Sequence, residues 1–251
     1  MNRIFTSILL VILLSLHVHS YERSGINFLN PSTIQGGSST YTIKHRFIGP
    51  VTNDIIDTFF FLNTGVSMYL EIAFYPIDGL RFHFGYENAF SGYHIGLGYA
   101  YDFGFVKPSI TVEYNNTKEM IDNNYSRHNN IFSVLSIQSM PIFDVIDFGV
   151  NVGYDYLYKG FGLGIFTSIG YLELPDGYKV SLVGEYYPTF LRVNGQSDNF
   201  VFGLKIDTYG HHFLFTIGNT YFATVRSSMF GMEDNYLRLG FRIDRIFQWG
   251  M

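Results

Sequence analysis

The chain has 251 residues, no cysteine and a formal charge of −5, with 47% hydrophobic, 19% aromatic and only 15% charged residues. A soluble domain carries about 25% charged residues, so this composition argues against a sandwich or lipocalin-like barrel clothed in charge. The missing cysteines exclude a disulfide scaffold and a lipid-anchored N-terminus, and the mild acidity gives no footing for a nucleic-acid partner.

The first twenty residues read as a secretory signal peptide. Arg3 supplies the positive start, residues 4–16 form a short apolar core, and Val18 and Ser20 sit where a cleavage site after Ser20 wants small side chains. Beyond it no apolar run approaches the roughly 18 residues of a membrane-spanning helix. Residues 21–39 are polar, Gly/Ser-rich and unpatterned, and are expected to be a periplasmic lead-in to a barrel over residues 40–249.

From there the chain repeats one pattern. Bulky apolar side chains fall at every second position, as in Val66, Met68, Leu70, Ile72 and Phe74, with Ser67, Tyr69, Glu71, Ala73 and Tyr75 between them. Successive Cβ atoms of a strand point to opposite faces, so a period of two predicts strands. The predicted strands cover 40–48, 64–75, 79–89, 92–102, 109–115, 131–140, 146–156, 161–172, 178–187, 200–207, 212–218 and 235–247. That makes about twelve, an even number, and the fold class is all-β: a single-chain antiparallel transmembrane β-barrel with both termini periplasmic.

The connections alternate in character. The even ones are tight, at Pro76-Ile77-Asp78, Phe103-Gly104-Phe105, Pro175-Asp176-Gly177 and Tyr209-Gly210, where Gly accepts turn backbone. Odd connections at 49–63, 116–130, 188–199 and 219–234 are long, as outer loops are. Those near Phe90-Ser91 and Lys159-Gly160 are short. In the last strand Leu237, Leu239, Phe241, Ile243 and Phe247 share one face with Trp249, interrupted by Arg245. Such a strand is what the outer-membrane assembly machinery reads, and the bilayer and that machinery are the expected partners.

Four blocks carry a family resemblance: Tyr41 to Phe47, the run 65–75, Tyr209-Gly210-His211-His212-Phe213, and Leu237 to Phe247. They resemble a membrane-bound outer-membrane β-barrel family catalogued only as a domain of unknown function, over about residues 40–247. The resemblance implies a fold and a location, and no activity, cofactor or site residue. The chain departs from it at Ile48, where a Gly is expected.

Alternation also assigns faces. It places Arg81, His83, Glu87, His94, Asp102, Asp147, Asp155, Lys205, Asp207, Arg238, Arg242 and Asp244 on the lumen side, where charge avoids the lipid penalty of roughly 2–4 kcal/mol. His83 and His94 are expected to pair with Glu87 or Asp102. His211 and His212 point to opposite faces and cannot chelate one ion, so no metal or cofactor is expected. Inward Gly85, Gly96, Gly98, Gly149, Gly153, Gly162 and Gly164 are expected to leave open volume. The favoured function is a narrow passive channel for small polar solutes. One alternative is a non-conducting barrel whose outer loops bind a partner. The other is an embedded lipid-modifying enzyme, against which stands the lack of a Ser beside a His on one face.

Overall fold

The computed structural model describes residues 25–31, 34–50, 65–89, 91–121, 124–139, 142, 145–174, 177–188, 197–208, 210–230 and 235–249. The expected signal peptide and most of the first odd connection lie outside them. The strands are β1 Ser38–Phe47, β2 Val66–Tyr75, β3 Leu80–Glu87, β4 Gly92–Ala100, β5 Val106–Ile121, β6 Asn124–Ser139, β7 Ile146–Asp155, β8 Gly160–Glu173, β9 Lys179–Tyr187, β10 Asn199–Asp207, β11 His211–Gly218 and β12 Arg238–Gln248, with one short helix, α1 Val225–Phe230. Each strand pairs antiparallel with its neighbours in sequence, and β1 pairs with β12 to close a twelve-stranded barrel. Closure satisfies every strand edge, which hydrocarbon requires because it offers no hydrogen bonds.

The side chains follow the period. In β4, Tyr93, Ile95, Leu97 and Tyr99 are about half exposed while His94 and Ala100 are buried. The exposed set continues around the barrel through Phe82, Phe84, Ile110, Val112, Leu135, Val150, Phe202 and Phe215. Bulky residues face out and polar residues face in, so lipid solvates the outer surface. Leu97 lies mid-strand between Phe82 and Val112. Leu97→Arg is expected to destabilise the folded barrel in bilayers by about 2–4 kcal/mol, read by denaturant titration of Trp249 fluorescence.

The barrel has two unlike ends. The start of β1, the end of β12 and tight turns gather at one, here called the terminal end, where Gly104 takes φ 85°. The longer connections gather at the other, the loop end. Two expected boundaries differ markedly. Residues 116–130, expected as a loop, instead continue β5 and β6 as a paired ribbon whose ladder runs to Ile121↔Asn124. The ribbon stands clear of the barrel, since β4 stops pairing at Asn116 and β7 at Phe132. Residues 116–119 and 126–130 are all polar, so the apolar contrast that marks a strand is missing there, although Thr117 is buried against Gly92.

The second difference concerns the lead-in and the last odd connection. Ile26, Asn27 and Phe28 are buried inside the barrel, against the wall of β8–β11. Residues 219–230, expected as a polar outer loop, fold inward from the loop end, and all of α1 is buried. Thr224 caps that helix, accepting the Ser227 N–H at 3.1 Å. The two segments meet where the Asn27 amide donates to Ser228 Oγ at 3.0 Å and Phe222 O at 3.2 Å. The barrel is plugged from both ends.

Candidate functional site: the plugged lumen

Two unlike walls receive the plugs. On β6–β11 an apolar stripe faces inward: Phe132, Val134, Phe166, Val183, Val201 and Leu214. Ile26 and Phe28 cover one part of it, with Phe28 stacked on Phe166 at 5.1 Å. Val225, Met229 and Phe230 cover the other. Burying these side chains stabilises the plugs by roughly 25 cal/mol per Å2 of apolar area.

The inward glycines do not leave open volume as expected. A Cβ on Gly162 would lie 2.7 Å from Met229 Cβ, and one on Gly149 2.7 Å from the Phe28 ring. One on Gly153 would strike Phe132 and Met229, and one on Gly164 would strike Tyr187. On the other wall Gly85 makes room for Tyr69, Gly96 for His83 and Gly98 for Thr111. These glycines are notches into which other side chains fit.

The facing wall, from β12 through β1 to β5, is ionic. Arg81 pairs with Glu71 at 2.6 Å, and Tyr69 donates to the same carboxylate at 2.7 Å. Arg242 pairs with Asp244 at 2.7 Å, which also accepts from Thr42 at 2.6 Å. His83 pairs with Glu113 at 3.0 Å across the Gly96 notch, and His94 bonds Asn115. Neither uses the expected Glu87 or Asp102: His83 reaches over β4 to Glu113, and His94 meets Asn115, its direct partner on the neighbouring strand, which spacing along one strand does not reveal. Asp102 is a further correction. It lies past the end of β4 in an exposed turn at the terminal end, 2.8 Å from Lys107. The hydrogen bonds from Lys107 and the Gly104 N–H hold its carboxyl below the usual carboxylate range.

Several of the remaining lumen charges bind the plugs, most of them through plug backbone. An irregular segment inside a barrel must find partners for its own N–H and C=O groups, and the wall supplies them. Glu185 accepts from three consecutive amides, Ile26, Asn27 (3.0 and 2.9 Å) and Phe28 (2.9 Å). Arg242 donates to Gly25 O at 2.6 Å. Lys44 donates to Ala223 O at 2.8 Å while Glu87 accepts the Ala223 N–H at 3.0 Å. Arg238 donates to Asn219 O at 2.9 Å and to Ile48 O at 2.9 Å. Asp155 pairs with Arg226 of the helix at 2.5 Å. Near the terminal end Asp207 bonds Lys205 at 3.1 Å and His212 at 2.5 Å, and Asp147 is buried.

What is left open is small. A cavity of about 60 Å3 lies between the plugs and the ionic wall, lined by Lys44, Glu71, Arg81, Glu113, Arg242 and Asp244. It has room for a few waters.

Sequence reasoning missed the partners more than the faces. Glu185 and Arg46 were readable as inward, but nothing in the strand pattern joins them to residues 26–28. The usable signal was the apolar stripe itself, since an inward face carrying Phe132, Val134 and Phe166 needs a cover. His211, on the outer face, sits beside Arg245, whose guanidinium lies 5.4 Å above the Phe247 ring. Against the expectation that no Ser lies beside a His on one face, Ser126 Oγ lies 2.7 Å from His128 Nε2 on the β6 ribbon. Among the described residues that pair has no third group orienting the imidazole and no oxyanion donor, and it makes no nucleophile by itself. The same residues hold no cluster of metal-ligating side chains.

Closure, the apolar belt and the polar interior define an outer-membrane β-barrel of porin-like fold. Among solved structures, the KdgM porin matches with TM-score 0.50 at 13% identity, over 85% of this chain and 99% of that one. The NanC porin gives 0.49 at 10% identity, over 84% and 100%. An outer-membrane channel from Pseudomonas putida F1 gives 0.47 at 10%, over 91% and 100%. At these identities the likeness speaks to the fold alone. No protein-family model matches the chain and no curated protein matches it in sequence, so the resemblance to a family of unknown function stands only in its coarser content, an outer-membrane barrel.

Proposed function

We propose that the protein is a plugged outer-membrane channel for small polar solutes, closed in this conformation and opened by withdrawal of one or both plugs. In this reading the chain is exported by its N-terminal signal and inserted by the outer-membrane assembly machinery, with its termini in the periplasm. The observation that carries it is how the plugs are held. Both are short irregular segments, each joined to the wall through backbone bonds to ionised side chains. Withdrawal would leave a lumen lined by those charges on one side and glycine notches on the other, of both signs and so of weak selectivity. Twelve strands fall between the barrels of about eight that fill themselves and the sixteen-stranded ones that leave a channel.

A second reading, a non-conducting barrel, is favoured by the small residual cavity. Planar-bilayer recording separates the two. The parent chain is expected to be nearly silent, and a Glu185→Ala/Asp155→Asn variant to give frequent, stable steps. A folded double variant that stays silent would leave the non-conducting barrel in possession.

A further inference from the structure

The outer face of the β5–β6 ribbon changes character over a short distance at the loop end. Cross-strand pairs run from Tyr114↔Ile131, through Asn116↔Asn129, to Lys118↔Arg127. These three outward pairs span about 13 Å of strand. Tyr156 lies beside Ile131, its N–H donating to Ile131 O at 3.1 Å. The turn that follows brings Lys159 to the same rim. Between them lies a hollow of about 500 Å3, with Tyr114, Ile131, Tyr156 and Leu157 along its apolar side and Asn129 and Lys159 along its polar side.

Two features of this rim point to an anion at headgroup height. Lys159 has φ 51°, a left-handed backbone that a lysine adopts only at a cost and that Gly or Asn adopts readily. Arg127 is also fixed in place: its Nη1 bonds the Asn116 side chain and carbonyl, and Asn116 in turn bonds Asn129 at 2.6 Å. One nitrogen of the guanidinium makes those contacts, and Arg127 itself is exposed. The strain at Lys159 is offset if a phosphate sits between it and Arg127. Below them, aromatic and aliphatic side chains meet the level where acyl chains begin.

We propose that this hollow binds the phosphate-bearing headgroup of a membrane lipid, with Arg127 and Lys159 on the phosphate and Tyr114, Ile131 and Tyr156 against the upper acyl chain. The inference is independent of conduction, since a non-conducting barrel would carry the same rim.

Native mass spectrometry of the full chain in detergent, titrated with diphosphoryl lipid A, tests it. Phosphatidylcholine serves as the zwitterionic control. The Arg127→Gln/Lys159→Asn variant is expected to bind lipid A roughly ten- to thirtyfold more weakly, with phosphatidylcholine binding unchanged. Asn accepts the left-handed turn, so the barrel folds, and heat-modifiable gel migration checks that it has. Lys159→Arg is expected to bind as the parent does. Undiminished lipid A binding by the double variant would overturn the proposal, as would phosphatidylcholine binding as tightly as lipid A. Complete displacement of lipid A by millimolar inorganic phosphate would also overturn it, leaving a simple anion site.

Discussion

Glu185→Ala is expected to loosen the backbone of the N-terminal segment inside the lumen while leaving the barrel wall closed. The carboxylate is 2% exposed and accepts from three successive backbone amides at 26–28, with Tyr187 donating to its second oxygen at 2.9 Å. Consecutive N–H groups converging on one anion form a nest, whose partial positive charge depends on that anion. Truncation leaves the amides buried without an acceptor, at about 1–3 kcal/mol each before water enters. Ile26 and Phe28 keep their apolar contacts with Phe166, Val183 and Leu214, so the segment frays more readily than it leaves. Hydrogen exchange at Ile26, Asn27 and Phe28 is expected to speed up at least a hundredfold, which corresponds to about 2.7 kcal/mol. Exchange across the β9–β10 ladder should stay as slow as in the parent. Glu185→Gln, which keeps one acceptor oxygen and loses the charge, should fall between the two. Unchanged protection at those three amides in the alanine variant would show that the carboxylate does not hold the plug.

How far the sequence anticipates this arrangement depends on which contrast is available to it. The wall is legible because lipid and lumen impose opposite demands on alternate residues. Ile95, Leu97 and Tyr99 against His94, Gly96 and Gly98 fix both strand and face without reference to any other part of the chain. The ribbon at 117–128 fails that test for the opposite reason: polar residues occupy both faces, so Thr117, Lys118, Arg127 and His128 carry no alternation of bulk, and only the ladder shows a strand. The lumen is harder still. Glycine at 149, 153, 162 and 164 reads equally as empty space or as a socket. The difference lies in whether an irregular segment elsewhere offers a side chain of the right size. Met229 and Phe28 do, within stretches otherwise rich in Asn, Ser, Thr and Gly. Read jointly with the inward Phe132, Val134 and Phe166, those two apolar residues mark a plug; read singly, they are lone hydrophobes in loops. The pairing of His83 with Glu113 in place of Glu87 is of the same kind, since the partner sits two strands away and depends on Gly96 letting the imidazole pass.

The helix plug offers a sharper test, because the sign of the effect reverses between two variants. Asp155 is wholly buried, and its two oxygens divide their work: one accepts from the Leu157 and Tyr158 amides at 2.9 and 3.0 Å, and the other meets Arg226 Nε at 2.5 Å. Asp155→Asn preserves the turn acceptor and removes the charge, leaving the Arg226 guanidinium, itself 4% exposed, without that carboxylate beside Tyr158 and the apolar cluster. Breaking one side of a buried pair costs about 3–5 kcal/mol, more than a six-residue helix gains from seating Met229 against Gly153 and Gly162. The helix is therefore expected to leave the lumen, with channel steps in the bilayer and a lowered thermal midpoint in detergent. Adding Arg226→Met removes the orphaned charge and extends the apolar face toward Phe132 and Phe230. With both charges gone no uncompensated ion is left in the interior, so the double variant is expected to close again and to melt higher than Asp155→Asn alone. If Asp155→Asn conducts and the double variant conducts equally, the pair is not what seats the helix. If neither conducts while the barrel remains folded, the N-terminal segment alone seals the lumen, and the Glu185 variant is then the one that must open it.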